Sequence, residues 1–330
     1  NQVDRVRILG TTELDIMYNY LPLFHIFGYL DGPMLSMATG NKQILVETFD
    51  PEACLDAVEA EGVSQFSGFE THMKGLVEAQ KRHARDLSSL RIGIFGAGTN
   101  SAVPIMREGL EVLKPFRPIT AYGMTEIGGN ACLSFMDSND EQICETSGRP
   151  CDGFDFRVID PDTGQEQPFD VSGEIVLKSY NVMTCYYKKP EETAKAYNAD
   201  GWFLTGDMGY MRADGFLRFL GRYKDMLKIG GENVDPMEVE AYLQGHPDVA
   251  ETAVIGHPDE RLTEVAIAFI APRPGRTPSE DDILAFCRGK IASFKIPRHI
   301  IFISRLPMTS TGKVRKVDLR EQALTTLENI

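Results

Sequence analysis

Between Ile16 and Tyr122 the chain alternates short apolar runs with helix-length segments, and this alternation restricts the fold more than any other feature. Strands are expected at Ile16–Leu23, Gln43–Val46, Ser64–Phe69, Ile92–Phe95 and Ile119–Tyr122. Helices are expected from Asp50-Pro51 to Gly62, over Thr71–Arg85 and over Val103–Leu113. The first helix carries its own boundaries. Asp50 is a good N-cap, Pro51 suits the first turn, Leu55 and Val58 share an apolar face, and Gly62 ends it. Strands that alternate with helices need crossover connections, which predicts an α/β layer built on a mostly parallel sheet.

From Ser147 to Phe219 the character changes. Apolar runs at Phe154–Ile159, Glu174–Lys178, Phe203–Thr205 and Phe216–Phe219 are separated by Asp-Gly and Thr-Gly turns, which predicts β-hairpins. A third section follows Gly221. It has a helix at Pro236–Leu243 and strands at Ala250–Ile255, Val265–Ala271 and His299–Ile303. A helix opens at Ser279 through a Ser-x-x-Asp capping pattern, and a terminal helix starts near Asp318. The expected organisation is therefore 1–146, a distal part of an α/β domain; 147–222, a β-rich subdomain; and 223–330, a small α+β domain.

Composition narrows the function classes. With 34 basic and 48 acidic residues the net charge is −14, which argues against a nucleic-acid partner. No uncharged apolar run is long enough for a transmembrane segment, and the first residues do not make a signal peptide. The six cysteines form no CxxC pair and the six histidines no HExxH, so reduced, mostly buried thiols in a cytoplasmic protein are expected and a zinc site is not.

Four segments carry chemistry. Tyr122-Gly123-Met124-Thr125-Glu126 follows a strand, where ligands of open α/β sheets bind. An aromatic ring can stack on a base, Gly admits close backbone approach, Thr offers a hydroxyl to phosphate, and Glu offers oxygens to Mg²⁺. In Trp202–Asp207 the terminal carboxylate can accept both hydroxyls of a ribose; a plain Gly-Asp turn is the alternative. Gly221–Asn233 mixes charges with Gly230-Gly231 at a section boundary, which suits a mobile connection, with a charged β-hairpin as the alternative. Thr311-Gly312-Lys313 presents a lysine on a small-residue loop. It is not a phosphate-binding P-loop, because the required first glycine would fall at Pro307.

Together with Leu21-Pro22-Leu23-Phe24-His25, Gly96-Ala97-Gly98 and Gly173-Glu174-Ile175, these segments stand in an order that resembles the adenylate-forming superfamily of acyl-CoA synthetases, peptide-synthetase adenylation domains and beetle luciferases. The run Lys228–Asn233 followed by Pro236 and Glu238-Val239-Glu240 is more similar to the acyl-CoA synthetases. The resemblance implies a ligase that joins a small-molecule carboxylic acid to coenzyme A with ATP, through an acyl-adenylate and with release of AMP and pyrophosphate.

By the same resemblance, Lys313, Thr125 and His25 are the expected catalytic residues. Gly96, Ala97, Gly98, Tyr122, Gly123, Met124, Thr125, Asp207 and Arg222 would bind the nucleotide, and Glu126 would take Mg²⁺. Lys224 would be the hinge of a mobile C-terminal domain. Lys228, Gly230 and Gly231 would line the CoA path, and Phe24, His25 and Phe69 the acyl site. The aromatic content near Phe24, Phe66 and Phe69 suits a fatty, aromatic or alicyclic acid, and self-association as a homodimer is expected.

The chain departs from the family pattern in one respect. No Ser/Thr/Gly-rich loop ending in Pro-Lys-Gly precedes Leu21-Pro22-Leu23-Phe24-His25, so a truncated chain with impaired adenylation is expected. The alternatives are a non-catalytic AMP- or CoA-binding remnant, or another adenylate-forming enzyme. The absence of a Gly-Gly-x-Ser carrier motif weighs against a peptide synthetase.

Overall fold

The structure, a computed structural model, describes residues 2–96, 102–309 and 314–327. The chain divides into two compact units, Asn1–Leu220 and Gly221–Ile330. Among the described residues no helix is long and apolar enough to cross a membrane.

In the first unit, strands β1 (Ile16–Asn19), β2 (Lys42–Leu45), β3 (Gly68–Phe69), β4 (Ile92–Gly96) and β5 (Arg117–Met124) run parallel. Single bridges from Met17 to Gln65 and from Gln65 to Ile92 join β1 to the β3 and β4 side, so the strand order reverses at β1. The helices Pro51–Glu61, Glu70–Arg82 and Val103–Val112 follow β2, β3 and β4 and pack side by side. The connection between β1 and β2 runs the other way across the sheet. Right-handed crossovers therefore place its helical segments, Ile26–Tyr29 and Leu35–Thr39, on the opposite face. A kink at Gly32-Pro33 separates those two segments. Strand β6 (Gly129–Leu133) extends the sheet antiparallel to β5, and β7 (Arg149–Pro150) in turn pairs antiparallel with β6.

The helix over 51–61 has the predicted limits: Asp50 accepts from the Ala53 amide and Gly62 adopts the left-handed conformation. Two expected strands are shorter than the pattern suggested. Ile16–Leu23 stops at Asn19, because Asn19 accepts from the Leu21 amide and turns the chain, and Ser64–Phe69 keeps only a bridge at Gln65 and the pair Gly68–Phe69. The helix Gln2–Leu9 was not anticipated. It is held by a buried ion pair, Arg5 Nη1 to Asp31 Oδ1 at 2.8 Å, with Asn130 Nδ2 donating to Asp31 Oδ2.

A second sheet of the same unit has β8 (Phe154–Ile159), β9 (Gly173–Ser179), β10 (Phe203–Met211) and β11 (Leu217–Arg222) in chain order. β10 is nine residues long where a three-residue run was expected, because it continues beyond an irregularity at Thr205–Asp207.

The second unit has β12 (Leu227–Ile229), β13 (Glu232–Val234), β14 (Val249–Asp259), β15 (Thr263–Pro272) and β16 (His299–Phe302). The long β14–β15 antiparallel pair is its centre, with β16 parallel to β15. Helix Glu280–Cys287 opens on the predicted Ser279–Asp282 capping box. β12 and β13 form a hairpin whose turn, Gly230-Gly231, has φ of 61° and 89°. Two successive positive φ values match the twist of a tight hairpin, and glycine adopts them without steric cost. The plainer of the two readings of Gly221–Asn233, a charged hairpin, thus describes residues 227–234.

Candidate active site

The carboxyl ends of the parallel strands gather many of the residues singled out from the sequence. Leu23, Phe24 and His25 follow β1, Phe69 ends β3, Gly96 ends β4, and Gly123-Met124 close β5 before the turn Thr125–Ile127. Crevices form at this edge where the strand order reverses, because neighbouring crossovers leave on opposite faces. Here that point is β1, flanked by His25 and Phe69.

Phe24 is 80% exposed. His25 is half-buried, and its Nδ1 accepts from the Phe27 amide at 3.2 Å, capping the short helix that follows. Phe27 stands edge-on to Phe69 at 5.3 Å between centroids. Phe69 pairs in register with Gly96, and a Cβ at Gly96 would lie 3.0 Å from the Phe69 ring. Glycine at 96 therefore leaves room for the aromatic group. Ala97, Gly98 and Lys313 lie outside the described residues.

His72, which no sequence motif marked, sits behind Phe69. Its Nδ1 accepts from the Phe69 amide at 3.0 Å, and its ring packs against Tyr20 and Phe49. Burial among these rings pushes its pKa down to about 4, so the imidazole is neutral at pH 7 with its proton on Nε2. The aromatic cluster of Tyr20, Phe49, Phe69 and His72 forms an apolar wall next to the strand ends.

Tyr122 and Asp207 are 85 residues apart in sequence and meet in the interior. The Tyr122 hydroxyl donates to Asp207 Oδ2 at 2.7 Å. Tyr122 is only 6% exposed, and its ring packs against Phe156 and Phe219 of the second sheet. Burial, reinforced by the Asp207 charge, holds the phenol pKa well above its usual value, so the hydroxyl stays a donor. The residues of this segment that face outward are Gly123 and Thr125, with Met124 and Glu126 half-buried.

Asp207 reaches this position through a β-bulge. Between Leu204 and Met208 three residues of β10 stand opposite Ile175 alone. Gly206 takes φ of 68° there, its amide donates to Glu174 Oε1 at 3.0 Å, and Thr205 Oγ1 donates to the Ile175 carbonyl. The Asp207 amide donates to Thr205 Oγ1 at 3.0 Å. Bulges re-aim side chains, and this one turns the carboxylate inward. Glu174, whose role as the brace of the bulge no sequence signal revealed, has its pKa raised by burial against the opposing Gly206 hydrogen bond.

Glu126 accepts from the Tyr186 hydroxyl at 3.0 Å, and its carbonyl accepts from the Met183 amide. No group of three or more metal-ligating side chains occurs among the described residues. A half-buried single carboxylate suits Mg²⁺, which keeps water and substrate phosphates as its other ligands. A cavity of about 670 Å³ lies nearby, lined in part by Lys178, Val182, Met183 and Tyr197. It shares Met183 with the Glu126 contacts but includes none of Tyr122, Thr125 or Asp207.

In the second unit, Arg222 and Lys224 are exposed, Lys224 within the short turn Tyr223–Asp225. Lys228 is exposed on β12 and its ammonium donates to Asn233 Oδ1 across the hairpin. Arg222, Lys224, Lys228 and the two hairpin glycines thus occupy one continuous stretch of the second unit.

The family of AMP-binding enzymes matches residues 2–187, and the AMP-binding enzyme C-terminal domain matches residues 238–313. The chain is 38% identical over 310 residues to the 3-[(3aS,4S,7aS)-7a-methyl-1,5-dioxo-octahydro-1H-inden-4-yl]propanoyl:CoA ligase of Rhodococcus jostii, covering 92% of this chain and 57% of that protein. It is 33% identical over 302 residues to the medium-chain acyl-CoA ligase ACSF2 of Bos taurus, covering 91% of this chain and 49% of that protein. Among solved structures, ATP-bound MatB from Rhodopseudomonas palustris superposes with a TM-score of 0.89 at 29% identity, covering 98% of this chain and 63% of that one. The chain therefore spans about half to three fifths of the length of these curated relatives, and it belongs to the AMP-binding enzyme family.

Proposed function

We propose that the chain is the part of an AMP-forming acyl-CoA ligase that holds the adenylate and the acyl carbonyl. The observation that carries this reading is the buried Tyr122–Asp207 pair at the carboxyl end of the parallel sheet. It ties Asp207, itself only 2% exposed, to the strand end that carries the outward-facing Gly123 and Thr125, so ribose recognition by this carboxylate requires its cover to move aside.

In the first half-reaction the substrate carboxylate attacks the α-phosphorus of ATP, forming the acyl-adenylate and breaking the bond to pyrophosphate. Positioning and charge neutralisation dominate such transfers. Lys313 bridges the carboxylate and phosphate oxygens, Thr125 donates its hydroxyl to the α-phosphate, and Glu126 would hold Mg²⁺, which when bound would neutralise phosphate charge. Asp207 and Arg222 take the ribose hydroxyls, with Tyr122 orienting Asp207. Gly96, Ala97, Gly98, Gly123 and Met124 bound the adenine site. In the second half-reaction the CoA thiolate attacks the acyl carbonyl and expels AMP. Lys228, Gly230 and Gly231 line the thiol's path after the C-terminal unit turns about Lys224.

The exposed Phe24, His25 and the aromatic wall around Phe69 favour an apolar acid: fatty, aromatic or alicyclic. The relatives named for an alicyclic propanoyl group and for medium-chain acids support the same class.

Both half-reactions, assayed separately over a panel of acids, test the reading. Lys313→Ala should abolish acyl-AMP formation while thioester formation from supplied acyl-adenylate persists. Equal loss of both steps refutes the assignment of Lys313, and AMP binding without either step favours a non-catalytic nucleotide-binding protein.

A further inference from the structure

We propose that Lys316 and Glu240 are positioning residues for adenylation, clamping the base of the loop that carries Lys313; the proposal rests on the functional reading above. A lysine that must meet developing charge loses its effect when misplaced by about 1 Å, so the loop needs fixed ends. The residues on either side of 310–313 are held together. Met308 and Val314 form an antiparallel bridge, and the Arg315 amide donates to the Pro307 carbonyl at 2.8 Å.

Two residues beyond that bridge, the Lys316 ammonium donates to Glu240 Oε1 at 2.7 Å and to the Val254 carbonyl at 3.1 Å. The same Glu240 oxygen accepts from the Val254 amide at 2.7 Å. One carboxylate oxygen thus ties helix Pro236–Gln244, strand β14 and the end of the loop together. The side chains are only 22% and 16% exposed, so solvent screens the pair weakly.

Local rules argue against a lysine here. Lys316 begins the helix Lys316–Leu327, where the helix dipole disfavours a cation. A charge placed against its local preference and held by a distant carboxylate marks a position selected for tertiary reasons. The Lys316–Glu240 contact spans 76 residues and no expected site residue takes part in it.

The test uses the 330-residue chain and three variants: Lys316→Met, which keeps the apolar stem; Glu240→Gln, which keeps an oxygen for the Val254 amide; and Lys316→Arg. Acyl-AMP is counted under single-turnover conditions as a ratio to the parent, so a slow parent suffices. Thioester formation is measured from supplied acyl-adenylate. Lys316→Met and Glu240→Gln should lower adenylation about tenfold or more and leave the thioester step within about twofold. Lys316→Arg should stay near the parent. Amide exchange over 314–315 should quicken in Lys316→Met while that of β15 is unchanged. Parallel loss of both half-reactions, unchanged adenylation, or exchange that rises across the whole unit overturns the clamp. Lys313→Ala serves as the control: if it adenylates at the parental rate, the functional reading fails and the clamp with it, whereas an inactive control with no split in the Lys316 variants overturns the clamp alone.

Discussion

Asp235→Asn should stabilise the second unit at neutral pH and lose that advantage in acid. Asp235 caps the helix Pro236–Gln244, its Oδ1 accepting from the Met237 amide at 2.9 Å. Burial raises its pKa from 3.8 to about 6, against the Met237 hydrogen bond, with Glu240 and Glu238 adding to the rise and Lys316 opposing it. In the unfolded chain the group titrates near 4, so between pH 4 and 6 the folded state binds more protons, and stability falls as pH rises through that window. The gap of about two pKa units corresponds to about 3 kcal/mol, fully present below pH 4 and lost above about 6.5.

Asparagine caps as well as aspartate but carries no charge to desolvate. It forfeits about 0.3–1 kcal/mol of favourable interaction with the helix dipole. The expected net gain at pH 7.5 is therefore about 2 kcal/mol, shrinking to nothing or reversing by pH 4. Amide exchange in β14 and β15, compared between variant and parent at each pH, reads this directly: about 2 kcal/mol is a roughly thirtyfold slowing. The only tryptophan, Trp202, lies in the other unit, so its fluorescence midpoint in urea is an internal control that should not move. A variant less stable than the parent at pH 7.5, or a difference independent of pH from 4.5 to 7.5, would refute the desolvation argument.

Two further outcomes follow from buried polar contacts. Tyr122→Phe removes the donor to Asp207 and should cost about 1.5–3 kcal/mol of stability in the first unit, with AMP affinity, measured by calorimetry, falling about tenfold; unchanged AMP binding would detach the pair from the nucleotide. Asp31→Ala removes the carboxylate that faces the buried Arg5 guanidinium and should destabilise the same unit by about 3–5 kcal/mol in urea, while Arg5→Met combined with Asp31→Leu recovers most of the loss; a single variant as stable as the parent contradicts the pair's role in anchoring helix Gln2–Leu9.

Local chemistry was legible in the sequence because it acts over a few residues. Asp50, Pro51 and Gly62 delimit their helix, Ser279 and Asp282 cap theirs, and the order of strands and crossovers implies a parallel sheet whose carboxyl edge carries Phe24, His25, Phe69, Gly96 and Gly123. Motif order also pointed to the family. What the sequence did not reveal depends on residues brought together across long stretches of chain. Tyr122 reads as a stacking ring at a strand end, yet the second sheet covers it and converts it into a buried donor to Asp207. Asp207 reads as a ribose-binding carboxylate, with a plain turn as the alternative, but nothing local shows that Glu174 and Thr205 shape the bulge that aims it inward. His72, the Arg5–Asp31 pair and the Lys316–Glu240 contact have no local signature, because burial and a partner dozens of residues away define each of them. Sequence by itself determined the elements and the edge at which they present their chemistry; only the packing of one sheet against another, which excludes water and aligns distant side chains, decided which groups are donors, which are braces and which remain open to a ligand.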